Sequence, residues 1–197
     1  ASAGTQVFVF DIKTEKVLVN ESQNQLLLGN DEINQIQISD DDRFVVGCDD
    51  SGTAIVYDLK EKKELCVLKD QHENIAFTVD LMNPTSKEFP ICLTSGFDTK
   101  LVLWELPTGK VIKKVNVAEL AQKHITGQTL APPMVYNISS KKSSYILSLE
   151  TGHILGFNYK EPNKPKYVID AHLGKVLRTT FARFNENMLL SVSNDLS

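Results

Sequence analysis

Short apolar runs, broken at regular intervals by Gly, Asp, Asn and Ser, recur along the chain, and helical periodicity is almost absent. Such runs predict β-strands joined by tight turns. Four of them close alike, on an aromatic followed by an acidic or amide residue: Val7-Phe8-Val9-Phe10-Asp11, Ala54-Ile55-Val56-Tyr57-Asp58, Leu101-Val102-Leu103-Trp104-Glu105 and Ile154-Leu155-Gly156-Phe157-Asn158. Their aromatics, at 10, 57, 104 and 157, are spaced 47, 47 and 53 residues apart. A polar turn precedes each run: Ala3-Gly4-Thr5, Asp50-Ser51-Gly52, Asp98-Thr99 and Thr151-Gly152.

Further runs fill each period. Phe44–Cys48, Ile91–Ser95, Tyr145–Leu149 and Leu189–Ser193 lead into the turns, and alternating runs such as Ile33–Ile38 and Val176–Phe184 come before them. Shorter runs, Val17–Val19, Glu64–Leu68, Lys110–Val115 and Lys166–Ile169, follow the aromatics. Four strands in ~40–50 residues is the period of a β-propeller blade. The expected fold is therefore all-β: a half-blade at 1–30, blades at 31–70, 71–116 and 133–170, and a half-blade at 171–197. The third strands are apolar on both faces, as expected of strands buried between neighbouring sheets. The segment 116–132 is too long for a blade connection, and Val117–Lys123 within it predicts about two helical turns. Loops of that length are either functional or disordered, and the residues leave both open.

Composition narrows the classes. The chain has 197 residues, 42% hydrophobic and 23% charged, with a net charge of -4. This is a globular composition. The acidic balance argues against a nucleic-acid surface, and no apolar run approaches the ~18 residues of a membrane helix. Cys48, Cys66 and Cys92 are too few and too irregular for a disulfide framework or zinc module and read as buried thiols of a reducing, intracellular compartment, cytoplasm or nucleus. The opening Ala1-Ser2-Ala3-Gly4 has no initiator Met and no signal peptide and reads as an internal start. Asn20-Glu21-Ser22 and Asn137-Ile138-Ser139 match the glycosylation acceptor pattern, but Asn137 falls in a strand.

His72, Ser95, Asp98, Trp104 and the partial repeat Ala171-His172 with Ser193-Asn194-Asp195 resemble the WD-repeat family. The resemblance implies a ring of seven blades, of which this chain covers about four to five positions. It also implies a structural hydrogen-bond network from His72 to Ser95 and Asp98, ending on Trp104, repeated by His172, Ser193 and Asp195. Tyr57 and Phe157 depart from the family Trp, and Glu150-Thr151 from its turn Asp, so the 133–170 blade should be less rigid. By the same resemblance the partner-binding top face is rimmed by Asn34, Asp49, Asn74, Phe97, Lys175, Arg178 and Asn194.

The function expected is a non-enzymatic scaffold for protein partners, with no cofactor and no small-molecule substrate. One version is a substrate receptor for a cullin-RING ubiquitin ligase. Phe10-Asp11-Ile12-Lys13 and Tyr57-Asp58-Leu59-Lys60 resemble the adaptor-contact motif of such receptors, making Asp11, Lys13, Asp58 and Lys60 candidates. Both copies carry Lys for Arg, which cannot form the bidentate fork. The alternative is a WD-repeat hydrolase of the diphthine methyl-ester type, with His72 as base between Ser95 and Asp98. Repetition of the same three residue types at 172–195 favours scaffolding. No metal site is expected: His124 and His153 lack ligand-like neighbours, and Asp40-Asp41-Asp42 lacks the spacing of a calcium loop. Thr108-Gly109-Lys110 lacks the rest of a phosphate loop. Lys60, Lys62, Lys63, Lys141 and Lys142 read as solubilising turn residues.

Overall fold

A computed structural model describes all residues except 1, 8–9, 15, 18–25, 85–88, 127–130, 183, 186 and 196–197. The acceptor match Asn20-Glu21-Ser22 lies outside the described residues. Strands β1 (Ser2–Ala3), β2 (Gln6–Val7), β3 (Phe10–Asp11), β4 (Lys16–Val17) and β5 (Leu26–Leu27) come first; β1, β2 and β5 share a sheet, and β3 pairs with β4. Three antiparallel four-stranded meanders follow. They are β6 (Ile33–Ile38), β7 (Phe44–Asp49), β8 (Ala54–Asp58) and β9 (Lys63–Leu68); β10 (Ala76–Met82), β11 (Ile91–Gly96), β12 (Lys100–Glu105) and β13 (Lys110–Asn116); and β14 (Val135–Lys141), β15 (Ser144–Leu149), β16 (His153–Asn158) and β17 (Tyr167–Asp170). The hairpin β18 (Val176–Phe181) and β19 (Leu189–Ser193) ends the described chain. The architecture is that of an incomplete β-propeller.

Second and third strands are buried because sheets lie against both of their faces. Phe44, Val46 and Val56 share a core with Val79, Val102 and Trp104 of the next sheet. Leu93, Leu101 and Leu103 share another with Tyr145, Leu147 and Leu155. Each such side chain contributes roughly 1.5–3 kcal/mol by leaving water. The thiols of Cys48 and Cys92 are buried, and burial pushes Cys48 up to about 12. The turns between second and third strands need a left-handed residue, supplied by Gly52 (φ 79°), Thr99 (φ 59°) and Gly152 (φ 85°). At Gly52 a Cβ would also sit 2.9 Å from the Asn74 carbonyl oxygen.

The segment after β13 forms helix α1 (Val117–His124), which covers the two turns expected over Val117–Lys123. Asn116 caps it, accepting from the Glu119 backbone N–H at 3.2 Å and donating to the Glu119 carboxylate at 2.8 Å. Val117, Leu120 and Ala121 then join the core beneath.

Two regularities organise the innermost strands. Each carries a one-residue bulge near its start, between Ile33 and Gln35, Ala76 and Thr78, Val135 and Asn137, and Val176 and Arg178. The bulge frees Asn34, Phe77, Tyr136 and Leu177 from the ladder. The residue that follows reaches across to the next sheet. Gln35 Oε1 accepts from Val79 N–H (3.1 Å), Thr78 Oγ1 from Ile138 N–H (2.8 Å) and Asn137 Oδ1 from Thr179 N–H (3.0 Å). Asn137 is thus a buried seam residue rather than a glycan acceptor.

Asp80 adds a charged tie, accepting from Ser140 N–H at 2.6 Å. Burial raises its carboxyl to about 6, against the opposing pull of its Ser140 and Leu81 hydrogen bonds. An acid whose folded value lies above its unfolded one loses stability as pH rises between the two. We expect the unfolding free energy of the wild type to fall from about pH 4 to pH 6 through this group. Asp80→Asn should remove that component, so the difference between the two urea-unfolding free energies should change with pH only across that window; a difference independent of pH would refute the assignment.

Candidate partner-docking face

Strand alternation decides which hydroxyl meets His72. Successive side chains on β11 face opposite sides, so only one of Thr94 and Ser95 can lie beneath the ring. It is Thr94. An Asp carboxylate can only accept, which places the imidazole hydrogen on Nδ1, donated to Asp98 at 3.1 Å. Nε2 then accepts from the Thr94 hydroxyl at 2.8 Å, and Thr94 Oγ1 accepts from the Trp104 indole N–H at 2.8 Å. Ser95 instead donates to the Lys100 carbonyl at 2.7 Å. The expectation that Ser95 belongs to the network is therefore corrected to Thr94.

The same correction applies at the last hairpin. His172 pairs with Asp195 (3.1 Å) and Ser191 (2.9 Å), while Ser193 accepts from Asp195 N–H at 3.2 Å. Burial opposes ionisation of Asp98, but His72 and the backbone N–H groups of Lys100 and Glu73 outweigh it and hold the carboxyl below its usual range. The order carboxylate, imidazole, hydroxyl is that of a catalytic triad. Thr94, however, is only 1% exposed, and its oxygen already takes the indole hydrogen. The chain of bonds is closed inside the blade.

The preceding sheet reaches the same end differently. Ser51 stands where Asp98 stands in the next turn, and Asp49, two residues earlier, supplies the carboxylate. It accepts from Asn30 N–H (2.6 Å), Thr53 N–H (3.0 Å) and the Ser51 hydroxyl (2.6 Å). Asp49 is 0% exposed. It is a turn-holding group and does not rim the partner face as expected. Asp58 is likewise buried, accepting from Arg43 at 3.0 Å and from the Lys60 and Glu61 N–H groups at 2.9 Å. Those partners outweigh burial and hold its carboxyl low. Lys13 and Lys60 are exposed, and the side chain of Asp11 lies outside the described set.

The remaining face residues have distinct fates. Asn34 is half-buried, donating to Asp50 (2.8 Å) and the Ala76 carbonyl (3.2 Å). Asn74 is exposed and accepts from Ile75 N–H. Asn194 and Arg178 are exposed. Phe97 and Lys175 come together around two rings the sequence reasoning missed. Phe77 stacks on Phe97 with centroids 5.0 Å apart, and Tyr136 meets Phe77 edge-on at 5.6 Å. Lys175 lies 5.2 Å over the Tyr136 ring, donates to its hydroxyl at 2.9 Å and pairs with Glu150 at 2.9 Å. Those hydrogen bonds hold its ammonium above the usual lysine value. Phe77 and Tyr136 are both bulge residues, so the feature that breaks the ladder also places the rings. All three rings remain half-exposed.

No family model matches the chain. It is similar to a WD repeat-containing protein 53 homolog of Dictyostelium discoideum, 26% identical over 156 residues, 73% of this chain and 42% of that protein. The order of Asp31-Glu32-Ile33-Asn34, Asp49-Asp50-Ser51-Gly52, Gly96-Phe97-Asp98 and Pro132-Pro133 is likewise similar to WD repeat-containing protein 53. A chain in the crystal structure of the mitotic checkpoint complex has the same fold, with a TM-score of 0.72 at 11% identity over 96% of this chain and 54% of its own length. The chain thus spans about two fifths of the curated relative and about half of that structure's matching chain.

Thr94→Val keeps the shape but orphans the indole N–H and the His72 acceptor, at about 1–3 kcal/mol for each buried group. Urea unfolding should show a loss of about 2–4 kcal/mol for Thr94→Val against about 1 kcal/mol for Ser95→Ala. The reverse order would restore Ser95 to the network.

Proposed function

We propose that the protein is a non-enzymatic scaffold that docks a protein partner on the face bearing Phe77, Phe97, Tyr136 and Lys175. The observation that carries this reading is three half-exposed rings, brought from two inner strands and a turn of two neighbouring sheets and braced by a cation. Aromatic residues dominate the energetics of protein interfaces because they bury large areas at low entropic cost. The seam ties hold the two sheets at fixed separation, so the patch is ordered before a partner arrives, which lowers the cost of association. The WD-repeat resemblance adds the expectation that such a face is used for protein binding.

For a ligase adaptor as partner, the Asp58 carboxylate is engaged internally, which leaves Asp11, Lys13 and Lys60 as candidates. Hydrolysis through His72 would need a hydroxyl that substrate can reach, and Thr94 offers none.

Affinity purification with quantitative mass spectrometry tests the face. Phe97→Ala with Lys175→Ala should deplete specific partners by at least about tenfold, the loss of one or two hot-spot residues, without lowering the melting temperature by more than a few degrees. Undiminished recovery of every partner by a folded variant would show that the face is wrongly placed.

A further inference from the structure

The seams between sheets are not equally closed at the hairpins joining third to fourth strands. Between the sheets β6–β9 and β10–β13, the short connection Leu106–Gly109 tucks in. Leu106 is buried in the shared core, and Gly109 lies against Leu68 and Val67 of the preceding sheet, at ordinary contact distance. At the next seam the corresponding connection, Tyr159–Lys166, has eight residues instead of four. It stands away from β13 and leaves a groove of about 530 Å³.

Part of the groove lining is apolar. Ile112, Tyr159 and Pro162 supply it. Ile112 is the extra residue of a bulge opposite Leu103 and Trp104, and is 49% exposed. Its counterpart in the preceding sheet, Leu65, is packed against the core. The rim is basic: Lys113, Lys160 and Lys164 line the groove with one acid, Glu161. None of these three lysines has an ion-pair partner among the described residues. β13 is also the outermost strand of its sheet.

The charge is regional. Residues 100–175 carry 11 Lys against 5 Asp and Glu, whereas residues 1–99 carry 8 Lys and Arg against 18 Asp and Glu. The net charge of -4 conceals a positive flank.

We infer that this groove is a second docking site, separate from the aromatic face, for an extended acidic peptide segment. Carboxylates of the segment meet Lys113, Lys160 and Lys164, an interleaved apolar side chain lies on Ile112 and Tyr159, and its backbone runs beside the open edge of β13. Charge complementarity selects an acidic occupant. The apolar part of the lining, beside a strand edge, selects a peptide over a nucleic-acid backbone, whose phosphates would use the lysines alone.

Fluorescence anisotropy on the 197-residue chain tests this, with a fluorescein-labelled peptide of about twelve alternating Glu and Val residues. The expected result is saturable, salt-sensitive binding, absent for the matching Gln-Val peptide. It should be weakened at least about tenfold by Lys113→Glu/Lys160→Glu/Lys164→Glu, by the loss and reversal of three charge pairs. All three lysines are solvent-facing, and thermal melting checks that the variant is folded. Equal affinity of the variant, or no saturable binding into the millimolar range, overturns the inference. A labelled oligo-dT that binds while the peptide does not reassigns the groove to nucleic acid. Self-association abolished by the triple substitution, with no peptide binding, reassigns it to a second copy of the chain.

Discussion

A sheet that ends at its innermost strand leaves a row of backbone N–H groups pointing at its neighbour, and this fold depends on what accepts their hydrogens. Stacked apolar faces hold sheets together without direction. They would tolerate sliding and rotation. The acceptors on Gln35, Thr78 and Asn137 do not, because each bond is met only at one height and angle. An orphaned N–H at such a seam costs about 1–3 kcal/mol, so the geometry that satisfies all of them is favoured over nearby alternatives. Uncharged amide or hydroxyl acceptors recur at this position, which spares the seam the desolvation of a carboxylate. Asp80 is the charged addition, and its raised pKa reflects that difference.

A second requirement falls on the turns into the third strands, which must be tied to the chain entering the same sheet. The chain meets it with a carboxylate from two different positions. Asp98 accepts from Glu73 and Lys100; Asp49, displaced by two residues, accepts from Asn30 and Thr53. Asn30 and Thr53 hold in their sheet the places of Glu73 and Lys100 in the next, so the charge arrives at the same place. The β14–β17 sheet uses neither. Leu147 occupies the place of Thr94, and Tyr145 stacks on Phe157 with centroids 5.1 Å apart. Apolar packing there stands in for the polar chain of Asp98, His72, Thr94 and Trp104.

These substitutions explain what the sequence could and could not disclose. The period was legible because one aromatic closes each third strand, and that position is fixed by burial between two sheets. Helix α1 was legible as two turns over Val117–Lys123, but its Asn116 cap was not. The network hydroxyls were misassigned because Thr94 and Ser95 are adjacent, as are candidates around Ser191 and Ser193, and parity is set by pairing that one strand does not display. Asp49 read as a rim residue because the resemblance puts the rim one residue before the turn Asp, and Asp50 stands one position short of the place that Asp98 holds in the next sheet. Phe77 and Tyr136 went unread for a different reason. A bulge puts two successive residues out of alternation, and no residue type marks it here: Asn34, Phe77, Tyr136 and Leu177 have nothing chemical in common.

The bulge therefore separates two kinds of surface on one scaffold. Around the inner strands it releases side chains without disturbing the seam acceptors beside them, so their identity can vary from Asn to Phe to Leu while the blades stay in register. Rings placed there are positioned by the buried seam bonds beside them, and Lys175 is their charged brace. Along the outer strands the seam is closed only by hairpin length, and where the hairpin lengthens, at Tyr159–Lys166, the exposed side chains are long cations whose attraction is screened within a Debye length of about 8–10 Å at physiological salt. The docking proposed at the first surface rests mainly on shape set by the seam ties; that proposed at the second rests mainly on charge. The two can differ because the inner seams, not the outer hairpins, carry the constraint that fixes the fold.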